Sequence, residues 1–340
     1  MARIDKDLYP FLIVLFFTLV ALAVFWPVLD MVVLGASLAV VLLPVHRRLS
    51  QHTRPGVSAA LITVALFAVL AVTLFVTLTI LRANAGILDE IFTTIGTWLA
   101  NPATQPGAFG VPVARETLAS WLAEGNALFL NYWTTITANL MLIAVKAIVF
   151  FGSFFMLLIK GEDLYKRVGR HLPEPVKMYY DRLTPVAVDT LYVIYVVQIA
   201  IAALTFFISL PVFYLLGYGN ILFYSFLATV CELIPILGSS IAFILVGAYA
   251  LAVGDMRGVL ILFFLGYIVV SALPELYVRP VLVGRRVRIH PIIMFVGIIG
   301  GLLTLGLAGF VLGPLIIVLL MKSYRIWTDE RKVPDPPSDA

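Results

Sequence analysis

The sequence predicts an all-α fold: a polytopic α-helical membrane protein with about six full transmembrane helices plus two broken re-entrant helical hairpins. Three observations predict it: the apolar composition, the length of the apolar runs, and the basic residues in short segments between them. Of the 340 residues, 62% are hydrophobic and 12% are charged, whereas soluble domains carry about 25% charged residues. This composition excludes a soluble enzyme and a disordered chain, and the single cysteine, Cys231, excludes an intrachain disulfide.

Six apolar runs are predicted to cross the bilayer, because about 20 residues at 1.5 Å each span a hydrocarbon core about 30 Å thick. They are Leu8–Leu29, Met31–Val45, Val57–Leu81, Leu140–Ile159, Asp189–Leu216 and Val259–Val278. Only Asp30 and its neighbours separate the first two runs. We interpret them as a transmembrane hairpin with a tight turn, since the first run is too long for a cleaved signal peptide.

Basic residues predict the orientation of these spans, because cytoplasmic loops carry an excess of Lys and Arg. The head, the loop 46–56 and the connector 160–188 are each rich in these residues and are predicted to be cytoplasmic. Segment 82–139 has only Arg82 and Arg115 against four acidic residues, so it is predicted to lie outside. We interpret it as two helices separated by a Pro/Gly-rich loop.

Two further apolar segments are too long for one comfortable crossing. Residues 221–253 would extend about 50 Å as a straight helix, and residues 291–321 about 46 Å. Proline and glycine interrupt the first segment, and several glycines interrupt the second. Folding each segment back on itself places the loop 279–290 in the cytoplasm, as its four arginines require: Arg279, Arg285, Arg286 and Arg288. The alternative is eight plain spans with this loop on the wrong side.

These assignments divide the chain into five regions. They are three transmembrane helices (1–81), an extracytoplasmic helical segment (82–139), a fourth transmembrane helix with a cytoplasmic amphipathic connector (140–188), a transport core with the interrupted hairpins 221–253 and 291–321 (189–321), and a cytoplasmic tail (322–340). The basic connector is expected to lie near anionic lipid headgroups.

Ionisable residues inside a membrane are rare and point to function. Glu232 lies three residues before Pro235, at the predicted break of the first hairpin. We interpret it as a protonatable site or a ligand for a cation; the alternative is a carboxyl that caps backbone amides freed by the break. Gly238, Ser239 and Ser240 follow, and the two hydroxyls either bind substrate or only satisfy backbone groups.

Three more polar residues complete the candidate substrate- or ion-binding set. Gln198 lies deep in the fifth span, where it either lines a pathway or makes an interhelical hydrogen bond. Glu275 and Arg279 are four residues apart and share a helix face, so they form either a gate or an interfacial ion pair. The candidate break and gating positions of the second hairpin are Gly300, Gly301, Gly306 and Gly309.

No catalytic constellation is present in the sequence, and no enzymatic activity is expected. A nucleotide-binding Gly-rich loop with Lys and Ser/Thr is also missing, which argues against ATP-driven transport by this chain alone. The four histidines are scattered without ligand spacing, so no metal or cofactor is expected. Because the basic residues lie in short loops, the expected contacts are membrane lipids and not nucleic acid.

The second half of the chain contains a series of Pro/Gly motifs: Leu210-Pro211, Leu216-Gly217, Glu232-x-x-Pro235-x-x-Gly238-Ser239, Arg279-Pro280-x-x-x-Gly284, His290-Pro291 and Gly300-Gly301 followed by Gly306-x-x-Gly309-x-x-x-Gly313-Pro314. With these motifs the sequence resembles the autoinducer-2 exporter family. The order of the other regions also matches that of the family, so the resemblance covers nearly the whole chain. One difference is Ser271-Ala-Leu-Pro274-Glu275, where family members often have a stretch containing Gln and Asn.

This resemblance implies an inner-membrane protein of a prokaryote that forms homo-oligomers and exports a small polar molecule. Some family members are regarded as sodium or lithium/proton antiporters. We therefore expect a secondary transporter that exports a small hydrophilic molecule, such as an autoinducer-2-like signal, driven by a proton or sodium gradient. The alternatives are a monovalent cation (Na⁺/Li⁺)/proton antiporter, a passive channel and a non-transporting membrane scaffold. The expected partners are the solute, H⁺ or Na⁺, anionic headgroups and further copies of the chain, with both termini in the cytoplasm.

Overall fold

A computed structural model of the protein describes residues 8–100, 139–233, 238–283 and 291–330. All regular elements in these ranges are helical. The α-helices are α1 (Leu8–Ser50), α2 (Pro55–Ala83), α3 (Ala85–Ala100), α4 (Leu140–His171), α5 (Glu174–Tyr192), α6 (Gln198–Leu216), α7 (Ile221–Glu232), α8 (Ser240–Ala252), α9 (Met256–Ile261), α10 (Arg279–Val283) and α11 (Pro291–Glu330). The described ranges also contain π-helical segments at Val193–Val197, Leu262–Ala272 and Pro274–Val278.

The length and apolarity of these helices confirm the predicted polytopic helical membrane protein. Within the described ranges, six helical segments are long and apolar enough to cross a membrane. They are Leu12–Ser50, Pro55–Ile80, Leu140–His171, Glu174–Leu216, Met256–Val283 and Ile292–Thr328. The apolar helices α7 and α8 have only 12 and 13 residues. Each is about 20 Å long and cannot cross a core about 30 Å thick by itself.

The N-terminal helix α1 corrects the predicted transmembrane hairpin. Its 43 residues form one continuous helix through Asp30, about 65 Å long. The predicted tight turn at Asp30 is therefore wrong. Leu8 and Ser50 lie at opposite ends of this one helix.

The contacts of Asp30 explain this difference. Its carboxylate forms an ion pair with the Lys146 ammonium, with Nζ 2.6 Å from Oδ2, so the charge is neutralised beside a neighbouring helix and needs no exposed turn. Further along the same two helices, Arg47 Nε lies 3.2 Å from Glu162 Oε2. The two pairs advance together along α1 and α4, which shows that these helices are parallel and places the basic ends of both at the same end of their unit.

The described residues form two compact units. The first contains the described parts of 1–65, 141–191 and 292–340, and the second contains those of 66–140 and 192–291. The hydrophobic core of the second unit lies among α3, α6, α7, α8 and the π-helical segment Leu262–Ala272. At its centre the Phe213 ring stacks on the rings of Tyr224 and Phe243, with centroids 5.3 and 5.4 Å apart.

Both predicted interruptions occur as helical hairpins. α7 and α8 are separate helices that pack on each other within the second unit. In the first unit, α11 is broken at Gly306, whose backbone adopts φ 59° and ψ −138°. This positive φ favours glycine. The backbones of Gly301 and Gly309 then lie in direct contact across the turn, so hydrogen is the only side chain that fits at either position.

Other predictions meet the structure only in part. α3 confirms the first of the two helices expected in segment 82–139, whereas 101–138 lies outside the described residues. The connector is helical as expected, because α4 continues to His171 and α5 begins at Glu174. Arg285, Arg286 and Arg288 fall in 284–290, which is also outside the described residues.

A distance measurement tests whether α1 is continuous. Spin labels placed at the exposed positions Phe16 and Val45, in a Cys231→Ser background, should lie about 44 Å apart, because 29 residues rise 1.5 Å each. Pulsed electron–electron double resonance on the protein in detergent measures this separation. Labels at Leu142 and Leu164 of α4 provide the control and should lie about 33 Å apart. A separation below about 20 Å for the α1 pair would contradict a continuous helix and support the predicted hairpin.

Glycine substitutions test the hairpin in α11. Gly301→Ala and Gly309→Ala should each destabilise the protein by about 1–3 kcal/mol, because a methyl group at either position meets the facing backbone. Unfolding in detergent, followed by circular dichroism, measures the change. Gly300→Ala is the matched control, since a Cβ atom there has open space. Equal stability of all three variants would contradict the observed close approach.

Candidate functional site: a buried polar network in the second unit

Five of the predicted site residues converge in the second unit, where α6 packs against α7 and the π-helical segments. They are Gln198, Glu232, Ser239, Glu275 and Arg279. These residues come from three separate stretches of the chain, and hydrogen bonds join each of them to another member of the set. We call this set, with Ser271, the polar network.

The π-helical geometry helps to place these side chains. Gln198 immediately follows the segment Val193–Val197, and Glu275 lies in the segment Pro274–Val278. A π-helix bonds each residue to the fifth one along, which widens the turn and shifts the register of side chains, and such segments occur often at functional sites. Pro274, which has no N–H to donate, lies at the start of its segment.

Glu232 closes the break between α7 and α8. Its side chain is 4% exposed, and Oε2 accepts a hydrogen bond from the backbone N–H of Ser239 at 2.8 Å. Gly238 packs on the same carboxylate with φ +49°, and a Cβ atom there would lie 2.9 Å from Oε2. The capping role that remained an alternative from the sequence is therefore present in the structure.

Gln198 links the hairpin to the first residue of α10. Its side-chain N–H donates to the backbone carbonyl of Glu232, and its Oε1 accepts from Arg279 Nη1 at 3.0 Å. Both ends of the amide are thus engaged, which defines its orientation because only one end donates. The interhelical bonding foreseen for Gln198 is confirmed, and it joins a carboxylate residue to a guanidinium.

Arg279 and Glu275 form the ion pair that their spacing predicted. Nε of Arg279 lies 2.6 Å from Oε2 of Glu275, and the two side chains are 17% and 32% exposed. The second terminal nitrogen of Arg279, Nη2, is buried and has no hydrogen-bond partner among the described residues. Nη2 of this guanidinium can therefore still donate hydrogen bonds inside the protein.

Sequence reasoning missed three hydroxyls of this region. Ser271 Oγ lies 2.9 Å from Ser239 Oγ and extends the network. The signal was available, since Ser271, Glu275 and Arg279 recur every four residues and so share one helix face. Thr205 and Ser225 are fully buried on α6 and α7, and their hydroxyls have no partner among the described residues.

The remaining predicted site residues lie outside the polar network or outside the described residues. Ser240 begins α8 beside the network, whereas Pro235 belongs to 234–237, outside the described residues. Gly300, Gly301, Gly306 and Gly309 all belong to α11 in the first unit. Gly306 makes the turn and Gly301 and Gly309 make the close contact, while Gly300 only accepts a hydrogen bond from Thr304 at 2.9 Å.

Comparison with known proteins gives the family. A model of the AI-2E family transporters matches residues 11–329. The chain belongs to this family. An archaeal relative from Methanothermobacter thermautotrophicus is 28% identical over 299 residues, covering 86% of each chain. Another, from Archaeoglobus fulgidus, is 27% identical over 333 residues, covering 94% of this chain and 95% of the relative.

Both relatives are named "Putative transport protein". A third, from Methanocaldococcus jannaschii, is 20% identical over 321 residues, covering 92% of this chain and 94% of the relative. Together with the apolar helices, the family match makes this AI-2E family member an integral membrane transport protein. The resemblance inferred from the second half of the sequence is confirmed over nearly the full chain.

A double-mutant cycle tests the ion pair of the polar network. Glu275→Gln and Arg279→Gln should couple by about 1–2 kcal/mol, since each single change leaves the other charge partly buried without its partner. Unfolding titrations in detergent measure the free energies. The exposed pair Glu174 and Lys177, 3.5 Å apart, provides the control and should couple by less than about 0.5 kcal/mol. Equal coupling in both pairs would contradict a buried network.

Proposed function

We propose that this AI-2E family transporter is a secondary transporter that exports a small hydrophilic solute across the cytoplasmic membrane, driven by a proton or sodium gradient. The observation that carries this proposal is the polar network in the second unit. It combines a buried carboxyl, a guanidinium, an amide and two hydroxyls within an apolar helical core. Polar groups at membrane depth are costly and are typical of transport pathways.

The broken hairpin supplies the second argument. α7 and α8 are each too short to cross the membrane, and they end beside Glu232 and Ser239. We infer that this hairpin is re-entrant, so that its helix ends lie at membrane depth. Helix ends carry partial charge, negative at the C-terminus of α7 and positive at the N-terminus of α8. Interrupted helices with this geometry bind ions and polar solutes in other transporters.

The donors and acceptors of the network suit a small oxygen-containing solute. Within the network, Arg279 Nη2 is a buried group without a partner among the described residues, and the hydroxyls of Thr205 and Ser225 are two more such groups elsewhere on α6 and α7. Such groups are costly when unsatisfied, so a solute that supplies oxygen acceptors and hydroxyl donors would gain by pairing with them. An autoinducer-2-like signal or a similar metabolite has this chemistry.

Glu232 is the proposed coupling residue. It is buried, and it forms no ion pair with any of the described residues within 4 Å. Its carboxyl can bind either a proton or a monovalent cation, and only one oxygen is required for the cap at Ser239. The same observation favours the second candidate function, a Na⁺/Li⁺/proton antiporter, in which the carboxyl alone would exchange the two ions.

The membrane orientation is also a proposal. We infer that the end of the first unit bearing the basic residues of α1 and α4 faces the cytoplasm, by the excess of Lys and Arg there. A cavity of about 520 Å³ in this unit is lined by Arg182, Lys322 and Arg325. This basic lining suits anionic lipid headgroups. Homo-oligomerisation remains a prediction from the family resemblance.

Flux in proteoliposomes tests the function. Proteoliposomes that contain the purified wild-type protein are given a pH gradient across their membrane. Their internal pH should change when sodium, lithium or a transported solute is added. The Glu232→Gln variant should not show this change. The glutamine keeps an oxygen that can accept from Ser239, so the hairpin cap is retained while ionisation is lost. Internal pH is followed with a trapped fluorescent dye.

Glu174→Gln is the matched control, because it neutralises a carboxylate whose side chain is 87% exposed. A response to cations alone would favour the antiporter, and a response to an organic solute would favour coupled export. Full activity of Glu232→Gln would remove this residue from the mechanism. No response from folded wild-type protein would remove proton coupling and leave another driving ion, a passive channel or a scaffold.

A further inference from the structure

A second cavity in the same unit lies away from the polar network. Its volume is about 280 Å³, and it is lined by Tyr218, Tyr224 and Tyr249 together with Glu90, Asn220 and aliphatic side chains. Glu90 comes from α3, Tyr224 from α7 and Tyr249 from α8, and Tyr218 lies in the loop after α6. We call this space the tyrosine cavity.

The three aromatic rings are held in place by their own contacts. The Tyr218 hydroxyl donates to Asp255 Oδ2 at 2.7 Å, and the Tyr249 hydroxyl donates to Glu90 Oε1 at 3.1 Å. The rings of Tyr218 and Tyr249 meet edge to face with centroids 5.9 Å apart. The Tyr224 ring is stacked on Phe213 in the core. The cavity is thus a fixed aromatic surface that a ligand need not organise.

The charge of the cavity is negative. Glu90 is exposed to the cavity and forms no ion pair with the described residues within 4 Å. The hydroxyl of Tyr218 and the backbone N–H of Gly258 hold the pKa of Asp255 below its usual value, so this neighbouring carboxyl is ionised near neutral pH. Arg257 acts on Asp255 electrostatically, and its Nη2 donates to the Leu215 carbonyl at 3.1 Å. Among the residues that the structure describes, the lining contains no Lys, Arg or His.

We propose that the tyrosine cavity binds the ammonium group of a small organic cation. Ring faces attract cations through their quadrupole within about 6 Å, and a carboxylate without a basic partner adds a full negative charge. A phenol whose hydroxyl donates a hydrogen bond to a carboxylate also has a more electron-rich ring, and two of the three tyrosines do so.

The size of the cavity limits the ligand. At about 280 Å³ it lies at the small end of ligand pockets, which suits a quaternary or primary ammonium with a short substituent. This group can belong to a dissolved solute or to a lipid headgroup such as phosphatidylethanolamine. The proposal does not rest on transport through the polar network, because none of the cavity residues belongs to that network.

Binding of radiolabelled choline to the full-length protein tests the proposal. The protein is placed in nanodiscs of phosphatidylglycerol, and bound choline is measured by scintillation proximity. Tetramethylammonium should displace choline, whereas its uncharged isostere 3,3-dimethyl-1-butanol should not. Glu90→Gln should weaken binding about fivefold and Tyr249→Leu about tenfold, while Tyr249→Phe, which keeps the ring, should weaken it less than Tyr249→Leu.

Asp89→Asn is the matched control, since Asp89 is adjacent in sequence but does not line the cavity, and it should bind choline as the wild type does. Melting curves confirm that each variant is folded. Displacement by the uncharged isostere, unchanged binding in Glu90→Gln, or no binding of choline to folded wild type would each overturn the proposal.

A second nanodisc preparation distinguishes the two sources of the ammonium group. If choline binds more weakly in phosphatidylethanolamine than in phosphatidylglycerol, the lipid headgroup competes for the cavity and is its occupant. Equal binding in both lipids assigns the cavity to a dissolved cation. Either result supports the ammonium site, and neither depends on the flux measurements with Glu232→Gln.

Discussion

The structure of the second unit depends on how the backbone groups at the break between α7 and α8 obtain hydrogen-bond partners. A helix that stops in an apolar environment leaves backbone groups without partners, and no water is present in the bilayer core to pair with them. Here the Glu232 carboxylate accepts from Ser239, and the Gln198 amide donates to the Glu232 carbonyl. These two bonds hold the hairpin closed and orient the carboxyl.

Capping the break with Glu232 places a carboxylate in the core. Its negative charge then needs polar or positively charged groups nearby. The other end of the Gln198 amide accepts from Arg279, and Arg279 pairs with Glu275. A residue needed to satisfy the hairpin thus becomes the link between a buried carboxyl and an ion pair. In the proposed function the same groups stabilise the hairpin and bind the ion, because a capped carboxyl at a helix break is also a group that can bind a proton or a cation.

The first unit solves a similar problem with packing. Gly301 and Gly309 let the two limbs of α11 touch along their backbones, and Gly306 makes the turn. Van der Waals contact between close helices stabilises association where no hydrophobic driving force acts between them. The parallel pair α1 and α4 uses Gly35 in the same way against the backbone of Phe150, beside the ion pair of Asp30 and Lys146.

The sequence by itself determined the helical membrane class, both hairpin interruptions and the candidate residues Gln198, Glu232, Ser239, Glu275 and Arg279, because apolar length, Pro/Gly breaks and rare buried charges are local signals. Only the tertiary structure decided that Asp30 lies inside one long helix, that Ser271 meets Ser239, and that Glu90 shares a cavity with three tyrosines. An isolated carboxylate in an apolar run fits both a turn and an ion pair. Its partner lies more than a hundred residues away in the chain, where no local pattern can identify it.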